Sequence, residues 1–415
     1  MKFEELTEKE YNSFFEKHEL STFFQSPHFS PIDEMEGWKI VYLGIKKGNK
    51  LVAASRFKYI APHFNKKVYY APRGILMDYN NKELVEFFTN NLKKYIKENG
   101  GYVLHIDPAI IHKERDIDGN IVENGIDNSN IIEYLKSIGY KHDGFTKCYD
   151  YSKQVRWSFE LPVKGKTEDE ILKEMNGNTR RAIQKAEHLG VKIKELKREE
   201  LNIFKDIMES TCERREFNDK PLKHYETMYD SFYKAGETKF LLAYVDLKAT
   251  LKILNNDLFE LVKDKSNAEA HKKESKLKEL NSQIDNMEKR IKEGEQIKKE
   301  KGNTIYLASA MFMISKRDIL YYHSGSYKEY MNFFGQYLIQ WKMIKEAIKW
   351  NKECYNFYGI KGVFDKNDED YGVYLFKRGF NGHVIEYIGD FYLPITNYYY
   401  IQKILAFFKK KKIKK

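Results

Sequence analysis

Between Leu247 and Gly302 the chain carries a hydrophobic repeat that leaves few folds open. From Leu247, apolar residues fall at Leu251, Leu254, Leu258 and Leu261, and again at Leu277, Leu280, Ile284, Met287 and Ile291, alternating four and three positions apart. Side chains at that spacing line one stripe of a helix and meet a matching stripe on a second helix, which is the seam of a coiled coil. The polar stretch from Asp264 to Ser275 is read as the reversal, so the arms form an antiparallel hairpin. Arms of about 25 residues project roughly 35 Å at about 1.5 Å per residue. Their other faces carry Lys and Glu, which suits a packing or dimerisation arm. Both ends return to one place, so the hairpin interrupts a larger unit.

That larger unit repeats an order of elements. In the first half, Lys39 to Gly44 and Leu51 to Ile60 read as strands joined by the turn Lys47-Gly48-Asn49-Lys50. Val68 to Ala71 is a third strand, followed by the turn Pro72-Arg73-Gly74. A helix over Lys82 to Glu98, stopped by Gly100-Gly101, leads to the strand Tyr102 to Ile106. In the second half, Phe240 to Val245, Thr304 to Ser315 and Ile319 to His323 are strands. The helix Phe334 to Trp350 and the strand Tyr355 to Tyr358 complete the same series. A chain of 415 residues is too long for one ordinary core. We expect an α/β protein of two related halves, each a mixed sheet flanked by helices. The boundaries are 1–150, then 151–246 with 303–397, the hairpin 247–302, and a C-terminal helix with a basic tail over 398–415.

The formal charge of +11 suits polyanionic partners: nucleic acid, phosphorylated substrates or an anionic membrane surface. Cys148, Cys212 and Cys354 are far apart, which points to neither a disulfide framework nor a zinc site and fits a reducing cytosol. His105 and His323 likewise stand outside any metal-ligand spacing. The acidic, interrupted N-terminus does not read as a signal peptide, and no apolar run reaches membrane-spanning length. A cytoplasmic protein is therefore expected. The sequence has no phosphate-binding P-loop and no nucleophile elbow. No glycine-rich loop leads into the long helix of either half, which disfavours coenzyme A as the donor carrier. The chain closes with apolar Ile401 to Phe408 and then Lys409 to Lys412, Ile413, Lys414 and Lys415. That pattern reads either as a membrane-surface helix or as a disordered basic tail.

Candidate chemistry concentrates near the end. Cys354 to Phe357 is a short strand, Asp365 to Asp370 a solvent loop, and Tyr371 to Phe380 joins aromatics, two glycines, Lys377 and Arg378. Gly372 and Gly379 mark tight turns or close approach of another group. Lys377 is either a solvated lysine or a cation held over a cleft, where it meets a phosphate or a developing oxyanion. Arg180, Arg181 and Lys185 fall within two turns of a helix start, a place that favours phosphate. Asp107, ahead of Pro108 at a strand end, either caps a turn or orients and deprotonates an amine.

The stretch YNFYGI, the acidic loop, GVYLFKRGF and VIEYIGDFYLPI resembles the Fem family of peptidoglycan-bridge aminoacyltransferases. The likeness runs from FFQS near the start to IGDFYLPI. It implies two acetyltransferase-like halves with a cleft between them. It also implies transfer of an amino acid from aminoacyl-tRNA to the stem peptide or growing bridge of a cell-wall precursor, without cofactor or metal. Lys377, after Phe376, matches the family lysine near the tRNA acceptor end and implies oxyanion stabilisation. Asp107 falls where the family has a similar Asp-Pro, and Arg180 and Arg181 where it has a basic helix. Lys220, His224 and Tyr225 fall in the segment that holds the acceptor, and Tyr327 lines the cleft. Lys220 and His224 stand where some relatives have arginine and tyrosine, and Asp33 or a neighbour where they have a phosphate-contacting lysine. These departures suggest a different precursor, a lipid-linked one such as lipid II, with weak membrane-surface attachment. Coiled-coil-bearing relatives make glycine bridges, so glycyl-tRNA is the expected donor. The resemblance also implies the arm as a contact for tRNA, with a homodimer through the arm as the alternative use of the hairpin. Two other readings stay open: an acyl-CoA N-acyltransferase and a non-catalytic RNA-binding scaffold.

Overall fold

The computed structural model describes residues 1–63, 66–150, 152–215 and 218–413, the side chains of residues 63 and 407–413 excepted. Among the described residues, strands β1 (Lys2–Glu5), β2 (Lys39–Lys47), β3 (Lys50–His63), β4 (Lys66–Ala71) and β5 (Gly101–Ile106) form most of a first sheet. Strands β6 (Ile111–Glu114), β7 (Lys141–His142), β8 (Trp157–Pro162), β9 (Lys192–Glu195), β10 (Thr238–Asp246), β11 (Thr304–Ile314), β12 (Asp318–Ser326), β13 (Cys354–Gly359), β14 (His383–Tyr387) and β15 (Phe391–Pro394) follow. The seven-stranded sheet runs β1-β2-β3-β4-β5-β15-β7, and the eight-stranded sheet β6-β14-β8-β13-β12-β11-β10-β9.

The expected repeat is visible in the pairing. In each half three antiparallel strands lead to one long helix and a parallel return: β4 pairs with β5 and β12 with β13, both parallel. The bridging helices are α3 (Lys82–Glu98) and, later in the chain, Gly335–Lys349. Helix α3 buries Leu84, Val85, Phe88, Leu92 and Ile96 on the sheet, the three-and-four spacing of a one-sided helix. Two strands cross the boundary expected at residue 150. Strand β6 pairs with β14 in the second sheet, and β15 pairs with β5 in the first. An apolar cluster also joins the halves, with Phe23, Phe24 and Ile32 packed among Phe204, Tyr225, Met228 and Phe232.

The remaining helices are α1 (Glu8–Phe15), α2 (Ser30–Met35), α4 (Ser129–Ser137), α5 (Glu168–Glu174), α6 (Gly177–His188), α7 (Leu201–Arg215), α8 (Leu222–Phe232), α9 (Leu247–Ala270), α10 (Glu274–Lys301), α11 (the Gly335–Lys349 helix), α12 (Tyr371–Arg378) and α13 (Tyr398–Ile413). Helices α9 and α10 form the hairpin. Its turn is shorter than the sequence suggested: α9 continues to Ala270 and α10 begins at Glu274, because the polar residues after Asp264 are mostly adequate helix formers. Leu251, Leu254, Leu280, Ile284 and Ile291 are buried between the arms, and a Cβ on Gly294 would sit 2.9 Å from Leu251.

Helix α12 corrects one reading. Gly372 lies inside this helix with open space around it, so it marks no turn and no close approach. Gly379 does mark one: a Cβ there would collide with the Thr179 hydroxyl of α6. Its carbonyl accepts from the Asn176 amide at 2.9 Å, which fixes the end of α12 against the start of α6. No helix among the described residues is long and apolar enough to cross a membrane.

Candidate active site

The carboxyl ends of β4, β5 and β13 converge between the two sheets and deliver Arg73, Asp107 and Tyr358-Gly359. Strand ends of this kind are where open α/β sheets hold ligands. Asp107 is almost fully buried. One of its oxygens accepts from the Arg73 amide at 2.8 Å. The other lies 3.7 Å from the Arg73 guanidinium without a hydrogen-bond partner. Burial pushes the Asp107 pKa up to about 6, against the opposing pull of Arg73. Burial works most strongly, against the Arg73 cation, but Asp107 together with Tyr387, Tyr358 and Tyr70 outweighs it and the Arg73 pKa is raised. The guanidinium stacks on Tyr387 at 4.2 Å and donates to the Val155 carbonyl. It therefore ties the first half to the second.

Arg73 and Tyr358 both hold positive φ, at 54° and 59°. Non-glycine residues adopt that region at a cost and keep it where surroundings enforce it, often at functional sites. At Tyr358 this backbone turn points two successive carbonyls at one cation. Lys377, on α12, donates to the Gly359 carbonyl at 2.5 Å and the Tyr358 carbonyl at 3.3 Å. It is 6 % exposed, and no carboxylate pairs with it among the described residues. Desolvation alone lowers its pKa to about 7. Two of its three N–H donors are engaged, which leaves one for an incoming acceptor.

The predicted Lys377 and Asp107 sit on different groups: Lys377 meets the Tyr358 and Gly359 carbonyls, and Asp107 meets Arg73. From Tyr358 a line of rings leads toward Lys220. The Tyr322 ring is 5.5 Å from that of Tyr358 and 4.2 Å from that of His323. The Tyr225 ring lies 5.7 Å from His323 and 5.6 Å from His224. Both nitrogens of His224 and Nε2 of His323 are buried without partners. Burial keeps both rings neutral, with pKa values of about 4 and about 3. Lys220 itself is half exposed and pairs with Glu36, just past α2 of the first half, at 2.9 Å. Tyr225 is fully buried and donates to Asp219 at 2.5 Å, so it offers no surface here and acts by holding the loop before α8. Asp33, where relatives have a phosphate-contacting lysine, is buried against Arg56 and Lys58 and faces no cleft.

A second surface borders Lys377. Arg180 donates to the Lys173 carbonyl at 2.9 Å and Arg181 to Asn178 at 2.5 Å. Neither has a carboxylate partner among the described residues. Lys185 lies 5.6 Å over the Phe334 ring, and Tyr337 joins Phe334 to Phe376 at 6.2 and 4.9 Å. Free cations beside half-buried rings suit a single-stranded nucleic-acid end. Tyr327 is half-buried beside Tyr330 at 6.1 Å and packs against both apolar clusters, the one with Phe334, Tyr337 and Phe376 and the one with Tyr225, Tyr322 and Tyr358. The sequence names Arg73 only in the Pro-Arg-Gly turn, Tyr358 only within YNFYGI and His323 only as lacking metal-ligand spacing, and gives none of them a site role.

The FemAB family model matches residues 6–409. The chain belongs to the FemAB family. It is 36 % identical over 405 residues to aminoacyltransferase FemA of Staphylococcus aureus strains RF122 and N315, covering 95 % of this chain and 96 % of each relative. The crystal structure of FemX, 24 % identical, superposes with a TM-score of 0.75 over 97 % of this chain and all of that one, so this FemAB member shares the FemX fold.

Proposed function

We propose that this FemAB-family enzyme is an aminoacyltransferase that moves an amino acid from aminoacyl-tRNA onto the stem peptide or growing cross-bridge of a peptidoglycan precursor. The observation that carries the reading is Lys377: a buried cation held by two backbone carbonyls, with one donor left. An aminoacyl ester is already activated, so the protein need only position an amine and stabilise the charge that develops. The acceptor amine attacks the ester carbonyl, a C–N bond forms, and the carbonyl electrons move onto oxygen beside Lys377. Asp107 orients the amine and takes its proton. The C–O bond to the ribose then breaks, and the proton passes to the departing ribose oxygen.

In this reading the acceptor lies along Lys220, His224 and His323, and Tyr225 keeps that edge in shape. The tRNA end lies across Arg180, Arg181 and Phe376. Tyr327 supports the cleft wall from outside the reacting group. We read the two halves as acetyltransferase-like, with residues 1–150 against 151–246 and 303–397, and the hairpin 247–302 as a coiled-coil arm for tRNA or a second copy. Glycine is the proposed amino acid, and a lipid-linked precursor such as lipid II at the inner membrane face the proposed acceptor. Neither metal nor cofactor is needed.

The test is transfer of label from charged tRNA to lipid-linked muropeptide, comparing glycyl, alanyl and seryl donors with and without ribonuclease. Ribonuclease-sensitive product is expected, greatest with glycyl-tRNA. No product from any donor, on both unmodified and singly glycylated acceptors, would overturn the proposal.

A further inference from the structure

Helix α13 is docked with its apolar side outward. Tyr399 is buried against the body, and Lys403 one turn later lies 4.9 Å over Tyr392 of β15 and 4.0 Å from Asp143. At about 100° per residue, Ile401, Ile404 and Leu405 lie roughly 140–240° around the axis from Tyr399. They face away from the protein and are 51, 57 and 49 % exposed. A surface helix of a water-bathed protein is ordinarily arranged the other way, apolar stripe inward. Scattered exposed leucines need no explanation, but a contiguous patch on one helix face does.

Charge identifies what covers this face. After Asp390 the chain has seven lysines and no acidic residue, with Lys409 to Lys412, Lys414 and Lys415 directly after the helix's apolar segment. Apolar side chains beside clustered lysines match the boundary between acyl chains and anionic headgroups. A nucleic acid would use the lysines and leave the isoleucines and leucine in water. We propose that α13 and the following lysines bind the surface of an anionic lipid bilayer, with Ile401, Ile404 and Leu405 inserted at the headgroup boundary. The body of the protein is then held with β15, and the Asp107 end of the neighbouring β5, close to that surface.

The experiment is flotation of the full chain with phosphatidylcholine vesicles, with and without phosphatidylglycerol, at low and high salt. These vesicles contain no acceptor, so a negative result would leave the transferase proposal standing. The wild type is expected to float with the anionic vesicles and to be released by salt. The variant Ile401→Gln/Ile404→Gln/Leu405→Gln is expected to bind at least about tenfold more weakly. Replacing Lys409 to Lys412 with glutamine is expected to abolish the preference for anionic over neutral vesicles. All substituted positions lie in the outward or terminal part of α13, so melting temperatures are expected to stay at the wild-type value. No flotation with anionic vesicles, or flotation unchanged in the triple variant, would overturn the proposal. So would a lysine variant that loses tRNA binding while wild-type protein ignores vesicles, which would make the tail an RNA contact.

Discussion

Two buried cations show how differently this fold treats charge. Arg56, in the first half, is fully buried and surrounded: Asp33 takes its guanidinium, which also reaches Ser30 and the Phe24 carbonyl at 3.1 and 3.5 Å. Lys377, in the second half, meets two carbonyl oxygens and, among the described residues, no carboxylate, and burial pulls its pKa to about 7. A cation kept for stability is neutralised within the protein. One kept uncompensated suits an anion that arrives from outside, which in the proposed reaction is the developing oxyanion of an ester under attack.

The largest test of that contrast falls on the compensated side. Asp33→Asn leaves Arg56 and Lys58 without their shared carboxylate and is expected to cost about 3–5 kcal/mol of stability, read by denaturant unfolding. The folded fraction should keep its specific activity. A loss of turnover at unchanged stability would show that this pair also serves the reaction.

Lys377→Met should do the reverse. Turnover is expected to fall by about 10²–10³-fold, while stability rises because an unpaired buried cation is gone. The pH dependence gives the sign. The native lysine has a pKa of about 7, well below that of an unfolded lysine. Between those values the unfolded chain binds more protons, so wild-type stability rises with pH. The advantage of the Met variant is therefore largest below pH 7 and shrinks as pH rises through the window above it. Equal stability of the two proteins at neutral pH would mean that the cation is compensated after all.

The sequence made much of the scaffold legible. Helix α3 and the apolar seam of the hairpin are both periodic, and periodicity survives without knowledge of tertiary contacts. The strand exchange was hidden because β6 and β15 are four residues each, too short to declare which sheet they join. Lys377 and Asp107 could be picked out because a family motif surrounds them. Arg73 and Tyr358 could not, since their importance lies in a left-handed backbone and a contact across the halves. Helix α12 was missed because Gly372 inside it and Gly379 just past its end resemble turn signals, and of the two Gly379 alone meets a neighbour.

The next effect concerns the acidic side of the same group. With Asp107 near 6 and Lys377 near 7, kcat/KM should be bell-shaped, rising as Asp107 loses its proton and falling as Lys377 loses its own. Asp107→Asn is expected to lower kcat/KM by about 10²-fold and remove the acidic limb. Arg73→Met should move that limb to higher pH, because the cation that opposes the Asp107 shift is gone. An acidic limb that survives Asp107→Asn would assign it to another group.

The smallest effect asks whether Lys220 is a latch or a ligand. Its bond to Glu36 crosses between the halves, yet a pair this exposed contributes roughly 0–1 kcal/mol, so neither Lys220→Ala nor Glu36→Gln should shift the melting temperature much. If Lys220 only latches the halves, both substitutions break the same contact and change the acceptor KM in the same direction. If Lys220 holds an anionic group of the acceptor, they part. Lys220→Ala removes the cation and should raise KM by about three- to tenfold at unchanged kcat. Glu36→Gln frees the cation from its competitor and should lower KM. We expect the divergent result, because the Lys220 side chain is half exposed and Glu36 engages one of its three N–H donors, which leaves donors facing solvent for an anionic group of the acceptor.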